Sequence, residues 1–126
     1  MQTRDQKYAV DVFGRVSKVH EKGKEFYDKY GAMAHKLPIL IRTAGLAQAL
    51  AFVEARGKEP HHHLLSDLAE TVDKKDSVTL LSEARSAHLS DYIHLTQQVM
   101  AALLWYKRFA QSVLDVDASM EVKTDE

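Results

Sequence analysis

The segment "DYIHLTQQVMAALLWYKRFA", residues 91–110, indicates the fold class of this chain. At about 100° per residue, its large apolar side chains form one continuous arc around a helix, and Val113 extends that arc. The arc comprises Tyr92, Leu95, Val99, Ala102, Leu103, Trp105, Tyr106 and Phe109. We therefore predict a long C-terminal helix that Ser90 caps and that runs to about Leu114.

The rest of the sequence also indicates helices, because it shows no sustained alternation of apolar and polar residues and few Gly or Pro. Further helices are predicted at residues 3–20, 24–35, 38–56, 61–72 and 77–87. The predicted fold class is all-α, a compact bundle of about five to six helices with a long C-terminal helix, in one domain of residues 1–114. Residues 115–126 contain five acidic residues and one lysine, which predicts a disordered acidic tail.

Three local signals set the predicted helix boundaries. Thr3 and Gln6 have the spacing of a capping box at the start of the first helix. Pro38 suits the first turn of a helix, so a boundary is predicted between His35 and Pro38. Gly45 then falls inside the third predicted helix, where it costs about 1 kcal/mol relative to Ala and indicates a close approach of another backbone segment.

Composition narrows the class of protein. No run approaches the roughly 20 apolar residues of a membrane span, and the first ten residues lack the pattern of a signal peptide. The chain has no Cys, so it has no disulfide and no thiolate metal site. We therefore expect a cytoplasmic protein without a membrane partner.

The charge is distributed unevenly along the chain, with 11 Lys and Arg against 6 acidic residues in residues 1–58. On the first predicted helix, four cations share the side opposite the apolar residues. They are Arg4, Lys7, Arg15 and Lys18. Such a line of cations could follow the phosphates of an RNA backbone, and the alternative is an ordinary solvated helix face.

A second apolar strip lies on the last predicted helix beyond Lys107, and it consists of Ile93, Met100 and Leu104. The total apolar arc is wider than one small core usually needs, so this strip is a candidate contact with another protein subunit. The alternative is that the helix lies between several neighbours of its own domain.

Neither a metal site nor a catalytic centre is indicated. His61, His62 and His63 are consecutive, so on a helix they point about 100° apart and cannot share one metal ion. Ser90, Asp91 and His94 lie close in sequence without a nucleophile elbow. We predict no enzyme activity, no cofactor and no small-molecule substrate, and an enzyme using His88 or His94 is kept as a further alternative.

Two blocks of the sequence resemble one known family. The first, "YGAMAHKLPILIRTAGLAQALAFVEARG" at residues 30–57, and the second, residues 91–110, are similar to the motifs of the fifth Cmr protein, the small helical subunit of the type III-B CRISPR effector. Their order and separation also fit that family. Ala44 stands where a polar residue is expected, and Tyr106 replaces an aliphatic residue.

The resemblance implies a non-catalytic subunit that stacks into a minor filament with copies of itself and other Cmr subunits, and that helps to hold guide and target RNA. It adds four candidate RNA-binding residues in or beside the matched motifs. They are Lys36, Arg42, Lys107 and Arg108. For Lys107 and Arg108 the alternative is that their stems pack over aromatic rings with the charges in water. For Arg42 the alternatives are an ion pair in the core or a side chain that extends outward to water. For the whole protein, the alternative is a structural interaction module without RNA contact.

Overall fold

The computed structural model describes residues 1–119, which form six α-helices and no strands. The helices are α1 (Arg4–His20), α2 (Lys24–Ala44), α3 (Leu46–Arg56), α4 (Glu59–Thr71), α5 (Ser77–Ser86) and α6 (Leu89–Ser112). None of these helices is both long enough and apolar enough to cross a membrane. The all-α class and the long C-terminal helix are thus confirmed.

Helix α1 begins with the predicted capping box. The Thr3 hydroxyl accepts the backbone N–H of Gln6 at 3.1 Å, and the Gln6 side-chain carbonyl accepts the N–H of Thr3 at 2.8 Å. These two bonds satisfy donors that the first turn of a helix leaves free. The local pattern is therefore sufficient to locate the start of this helix.

The predicted boundary between α2 and α3 is wrong. Helix α2 continues through Pro38, and the chain breaks instead at Gly45, where φ is 89° and ψ is 160°. Proline removes one hydrogen bond inside the helix, but Pro38 is buried, and packing offsets that loss. Residues with a side chain rarely adopt the backbone conformation at Gly45. The glycine predicted inside a helix therefore separates two helices.

The close backbone approach predicted at Gly45 is wrong, because the neighbour there is a side chain, that of Tyr92. The hydroxyl of Tyr92, on α6, accepts the N–H of Ala47 at 3.1 Å and so satisfies a free donor in the first turn of α3. A Cβ atom at Gly45 would lie 3.3 Å from that hydroxyl oxygen. The break between α2 and α3 is thereby held against α6.

Helix α6 packs against both α1 and α2 at the centre of the bundle. Its N-cap is His88, which makes no side-chain capping bond, so the predicted cap at Ser90 is wrong. Ser90 lies within the first turn, because the chain already becomes helical at Leu89. Val99, Leu103 and Tyr106 are fully buried, as expected for a central helix.

The packed chain continues past the predicted domain end at residue 114. Val116 is fully buried, its N–H binds the carbonyl of Ala110, and its carbonyl accepts a hydrogen bond from Nε2 of His35 at 2.8 Å. A Cβ at Gly31 would lie only 2.8 Å from the Val116 side chain, so the glycine makes room for it. The start of the predicted tail is therefore part of the core. Residues 120–126 lie outside the described residues.

Candidate nucleic-acid and subunit interfaces

Three of the four predicted cations on α1 are exposed, namely Arg4, Lys7 and Lys18. The guanidinium of Arg4 lies 5.7 Å from the ring centroid of Tyr8, where a cation is attracted to the aromatic face. No ion pair within residues 1–119 involves Lys7 or Lys18. Both ammonium groups are available to an external anion.

Arg15 differs from the other cations because carboxylates surround it. Its Nε lies 2.9 Å from Oδ2 of Asp11, and its Nη1 lies 3.2 Å from Oε1 of Glu70 and 3.7 Å from Oδ1 of Asp67. Burial alone would lower the pKa of Arg15, but the hydrogen bond and the charge of Asp11 raise it above the usual value. Burial would likewise raise the pKa of Asp11, but hydrogen bonds from Arg15 and Thr71 lower it. Arg15 therefore ties α1 to α4.

A buried polar network, which was not predicted from the sequence, joins four helices. The Tyr30 hydroxyl donates to Oδ2 of Asp67 at 2.7 Å, and the hydroxyls of Thr71 and Tyr106 lie 2.7 Å apart. Thr71 donates to Oδ2 of Asp11 at 2.7 Å, so Tyr106 must be the donor toward Thr71, which has only one proton to give. The available signal was Tyr106 itself, because a tyrosine within an apolar arc needs a buried polar partner.

Asp67 is the most buried carboxylate of this network. Burial raises the pKa of Asp67, although the hydrogen bond from Tyr30 and the charge of His63 act in the opposite direction. His63 Nε2 lies 3.4 Å from Oδ2 of Asp67, one helical turn away on α4. These contacts hold the inner face of α4 toward α1 and α2, so they support the structure of the bundle.

The three consecutive histidines point to different partners, as predicted for a helix. Nδ1 of His61 accepts the N–H of Lys58 at 2.8 Å, Nε2 of His62 lies 2.9 Å from the carbonyl of Glu54, and His63 faces the network described above. Within residues 1–119, no group of three potential ligands could hold a metal ion. The histidines here close the start of α4 and its contact with α3.

The cations near the sequence motifs lie on two other helices. Lys36 is partly buried on α2, Arg42 is exposed near the end of α2, and Lys107 and Arg108 are exposed on α6. None of these four takes part in an ion pair within the described part of the chain. The eight predicted residues thus occupy three helices and do not converge on one pocket.

The predicted subunit strip on α6 is accessible. Ile93 is 49% exposed and Leu104 is 45% exposed, while Met100 is partly buried between them. Leu89, one turn before Ile93, is 75% exposed and lengthens the strip toward the start of the helix. Four apolar side chains on one helix face, spaced at 4, 7 and 4 residues, are a surface that another protein could cover.

An exposed aromatic cluster lies where α1 meets α6. The rings of Phe13 and Phe109 are 5.4 Å apart in an edge-to-face arrangement, and Trp105 stacks on Phe109 at 5.7 Å. Phe13 is 52% exposed. Helical periodicity puts Phe13 on the apolar side of α1, with Val12 and Val16, and does not predict that its ring reaches solvent.

His88 and His94, the residues of the enzyme alternative, are both exposed on or beside α6. His94 and Asp91 line a cleft of about 340 Å³ together with the ion pair of Lys74 and Glu83. The hydrogen bonds found among residues 1–119 do not link either histidine to a serine. The geometry therefore offers no activated nucleophile there.

Comparisons with known proteins agree on one family. The model of the family described as CRISPR-associated protein (Cas_Cmr5) matches residues 4–113. A curated relative from Thermus thermophilus, the CRISPR system Cmr subunit Cmr5, is 47% identical over 116 residues, which cover 91% of this chain and 99% of the relative. A crystal structure of a Cmr5 family protein from the same species superposes with a TM-score of 0.84 at 46% identity, covering 90% of this chain and 99% of that one. The resemblance noted from the two sequence blocks is confirmed.

Proposed function

The chain belongs to the Cmr5 family of CRISPR-associated proteins, and on that premise we propose that it is the non-catalytic small subunit of a type III-B CRISPR effector that uses a guide RNA. The observation that carries the proposal is the family match over residues 4–113, which spans all six helices. The family match by itself indicates that the chain is a subunit of a Cmr complex, so other Cmr proteins are its partners. We place that complex in the cytoplasm.

The proposed contact with guide and target RNA uses cations that have no ion-pair partner within the described chain. Lys7 and Lys18 on α1, Arg42 on α2, and Lys107 and Arg108 on α6 are exposed and outside the ion pairs. Such residues bind phosphates and confer no base specificity, which suits a complex whose sequence recognition comes from pairing with the guide. Arg15 is left out of this surface, because its charge is already balanced by carboxylates.

The proposed filament contact uses the strip of Leu89, Ile93, Met100 and Leu104 on α6. Three of its members, Leu89, Ile93 and Leu104, are exposed, which is more large exposed apolar side chains than any other described helix carries. Burying this strip against another copy of the chain, or against a different Cmr subunit, would remove apolar surface from water and so favour assembly.

Charge reversal on α1 tests the RNA contact. The tagged chain carrying Lys7→Glu and Lys18→Glu is co-purified with its complex, and the retained RNA is measured over a range of salt concentrations. The matched control is Lys75→Glu with Arg85→Glu, which changes the net charge equally at exposed positions outside α1. We expect an intact assembly, weaker RNA retention and a salt slope reduced by about 1.5. Equal RNA retention in both variants would contradict the RNA contact.

The alternative function is a structural interaction module without RNA contact. The ion pairs of Arg15 favour it, because they show that a cation on the predicted RNA line can serve the fold alone. Leu104→Glu should disrupt assembly under both functions, so the charge reversal on α1 is the variant that separates them. Loss of assembly with Leu104→Glu, together with unchanged RNA retention after charge reversal on α1, would establish the structural module.

A further inference from the structure

We propose that the exposed aromatic cluster of Phe13, Phe109 and Trp105 is a platform on which an unpaired base of single-stranded RNA stacks. The ring of Phe13 is 52% exposed, although its edge-to-face partner Phe109 and the stacked Trp105 are partly buried. The two inner rings hold the outer ring in place, so a base would meet a fixed aromatic surface. This inference rests on the proposed function, since it presumes that RNA reaches this subunit.

The charge around the cluster fits a polyanion. Residues 12–20 of α1 and residues 92–112 of α6, which flank the cluster, contain no Asp or Glu. The nearest acid in sequence, Asp11, is engaged by Arg15 and therefore held on the α4 side of α1. A phosphate carried to this surface by a stacked base would thus meet no opposing carboxylate from these segments.

One exposed cation, Arg108, is adjacent in sequence to the two rings of α6. Arg108 follows Trp105 by three residues and precedes Phe109, and it is exposed without an ion pair within residues 1–119. Aromatic rings with neighbouring Lys or Arg are the usual means by which proteins hold single-stranded nucleic acid without sequence preference. In residues 101–110 the aromatic rings would then stack with a base, and the neighbouring cation would bind the phosphate of the same nucleotide.

The helix surface at Gly14, the residue after Phe13, is open. Gly14, the next residue, lies inside α1, and a Cβ atom there would meet no other atom within 4 Å. A planar base laid on the Phe13 ring is therefore not obstructed by a side chain at position 14. Protein contacts of ordinary stability need about 800 Å² on each partner, with a broad apolar centre, whereas one base needs only the area of one ring.

The sole tryptophan of the chain provides the assay, because Trp105 belongs to the cluster. The full-length chain is titrated with a 12-nucleotide oligoadenylate and, separately, with an RNA duplex of the same length, and the fluorescence of Trp105 is followed. We expect saturable quenching by the single strand and weaker quenching by the duplex, whose bases are already stacked. Phe13→Ala should weaken single-strand binding about tenfold, and Phe13→Tyr should retain it.

Val78→Ala is the matched control, since Val78 is an exposed apolar residue on another helix, α5, and is 68% exposed. It should bind the single strand as the wild type does. Binding that is equal in the wild type and Phe13→Ala would overturn the stacking proposal, even if Lys7→Glu with Lys18→Glu weakens it and so upholds the backbone contact. A Phe13→Ala variant that binds RNA normally but leaves the Cmr assembly would identify the cluster as a protein contact and would also overturn the proposal.

Discussion

Because His61 is buried, we expect the protein to lose stability in mild acid. A substitution at this one position should remove that loss. Its side chain is fully buried, and its Nδ1 accepts the backbone N–H of Lys58 at the start of α4. Burial, with a smaller effect of the nearby charge of His62, lowers the pKa of His61 to about 4. Protonation of Nδ1 would remove the acceptor for Lys58, so the folded protein keeps this imidazole neutral.

The size of this loss follows from the difference between the pKa of His61 in the folded chain and its pKa in the unfolded chain. The unfolded chain binds the proton near pH 6.5, whereas the folded chain binds it only near pH 4. Stability is therefore lost as the pH falls through this window and changes no further below it. The loss due to His61 is about 0.2 kcal/mol at pH 7 and about 2 kcal/mol at pH 5.

The assay compares the wild type with His61→Gln by urea denaturation at pH 7 and pH 5, followed by circular dichroism. Gln at the third position of a helix can accept the same backbone hydrogen bond, and it does not titrate. The wild type should lose about 2 kcal/mol more than the variant between the two pH values. His94→Gln, at an exposed position, is the control and must show the wild-type loss. Equal losses in the wild type and His61→Gln would refute the reasoning.

Four further substitutions test the packing. Gly45→Ala should lower the free energy of unfolding by about 1–2 kcal/mol, because φ there is 89° and the added Cβ would approach Tyr92. Gly14→Ala, in an open helical position, should instead raise the free energy of unfolding by up to about 1 kcal/mol. Urea titrations of the two variants should therefore show changes of opposite sign relative to the wild type. Tyr106→Phe removes a buried hydrogen bond and should cost about 1 kcal/mol, measured as a lower Tm; an unchanged Tm would show that the network adds no stability. Val116→Ala should cost about 1–3 kcal/mol in the same measurement, and no cost would mean that the segment after α6 contributes nothing.

Much of the fold follows from local sequence signals. The capping box of Thr3 and Gln6 locates the start of α1, and the apolar arc of residues 91–110 identifies the central helix. These features depend on residues within one or two helical turns, so helical periodicity is enough to find them. The two motif blocks also identified the family, because the order of residues in them is a property of the sequence itself.

The place of the break between α2 and α3 could not be predicted locally. Pro38 and Gly45 are both signals for a helix boundary, and periodicity does not rank them. Pro38 is tolerated because its surroundings bury it, and Gly45 breaks the chain because Tyr92, distant in sequence, supplies a hydrogen-bond acceptor to Ala47 there. Contacts between distant segments therefore decide at which of the two residues the helix breaks.

The candidate sites divide in the same way. Sequence alone specified which residues are cations, which helix faces are apolar and that Lys107 and Arg108 lie among aromatic residues. Tertiary packing was needed to establish that Glu70, 55 residues away, pairs with Arg15, and that Phe13 reaches solvent beside α6. The physical reason is that charge and periodicity are properties of a segment, whereas pairing and exposure depend on which other segment packs against it.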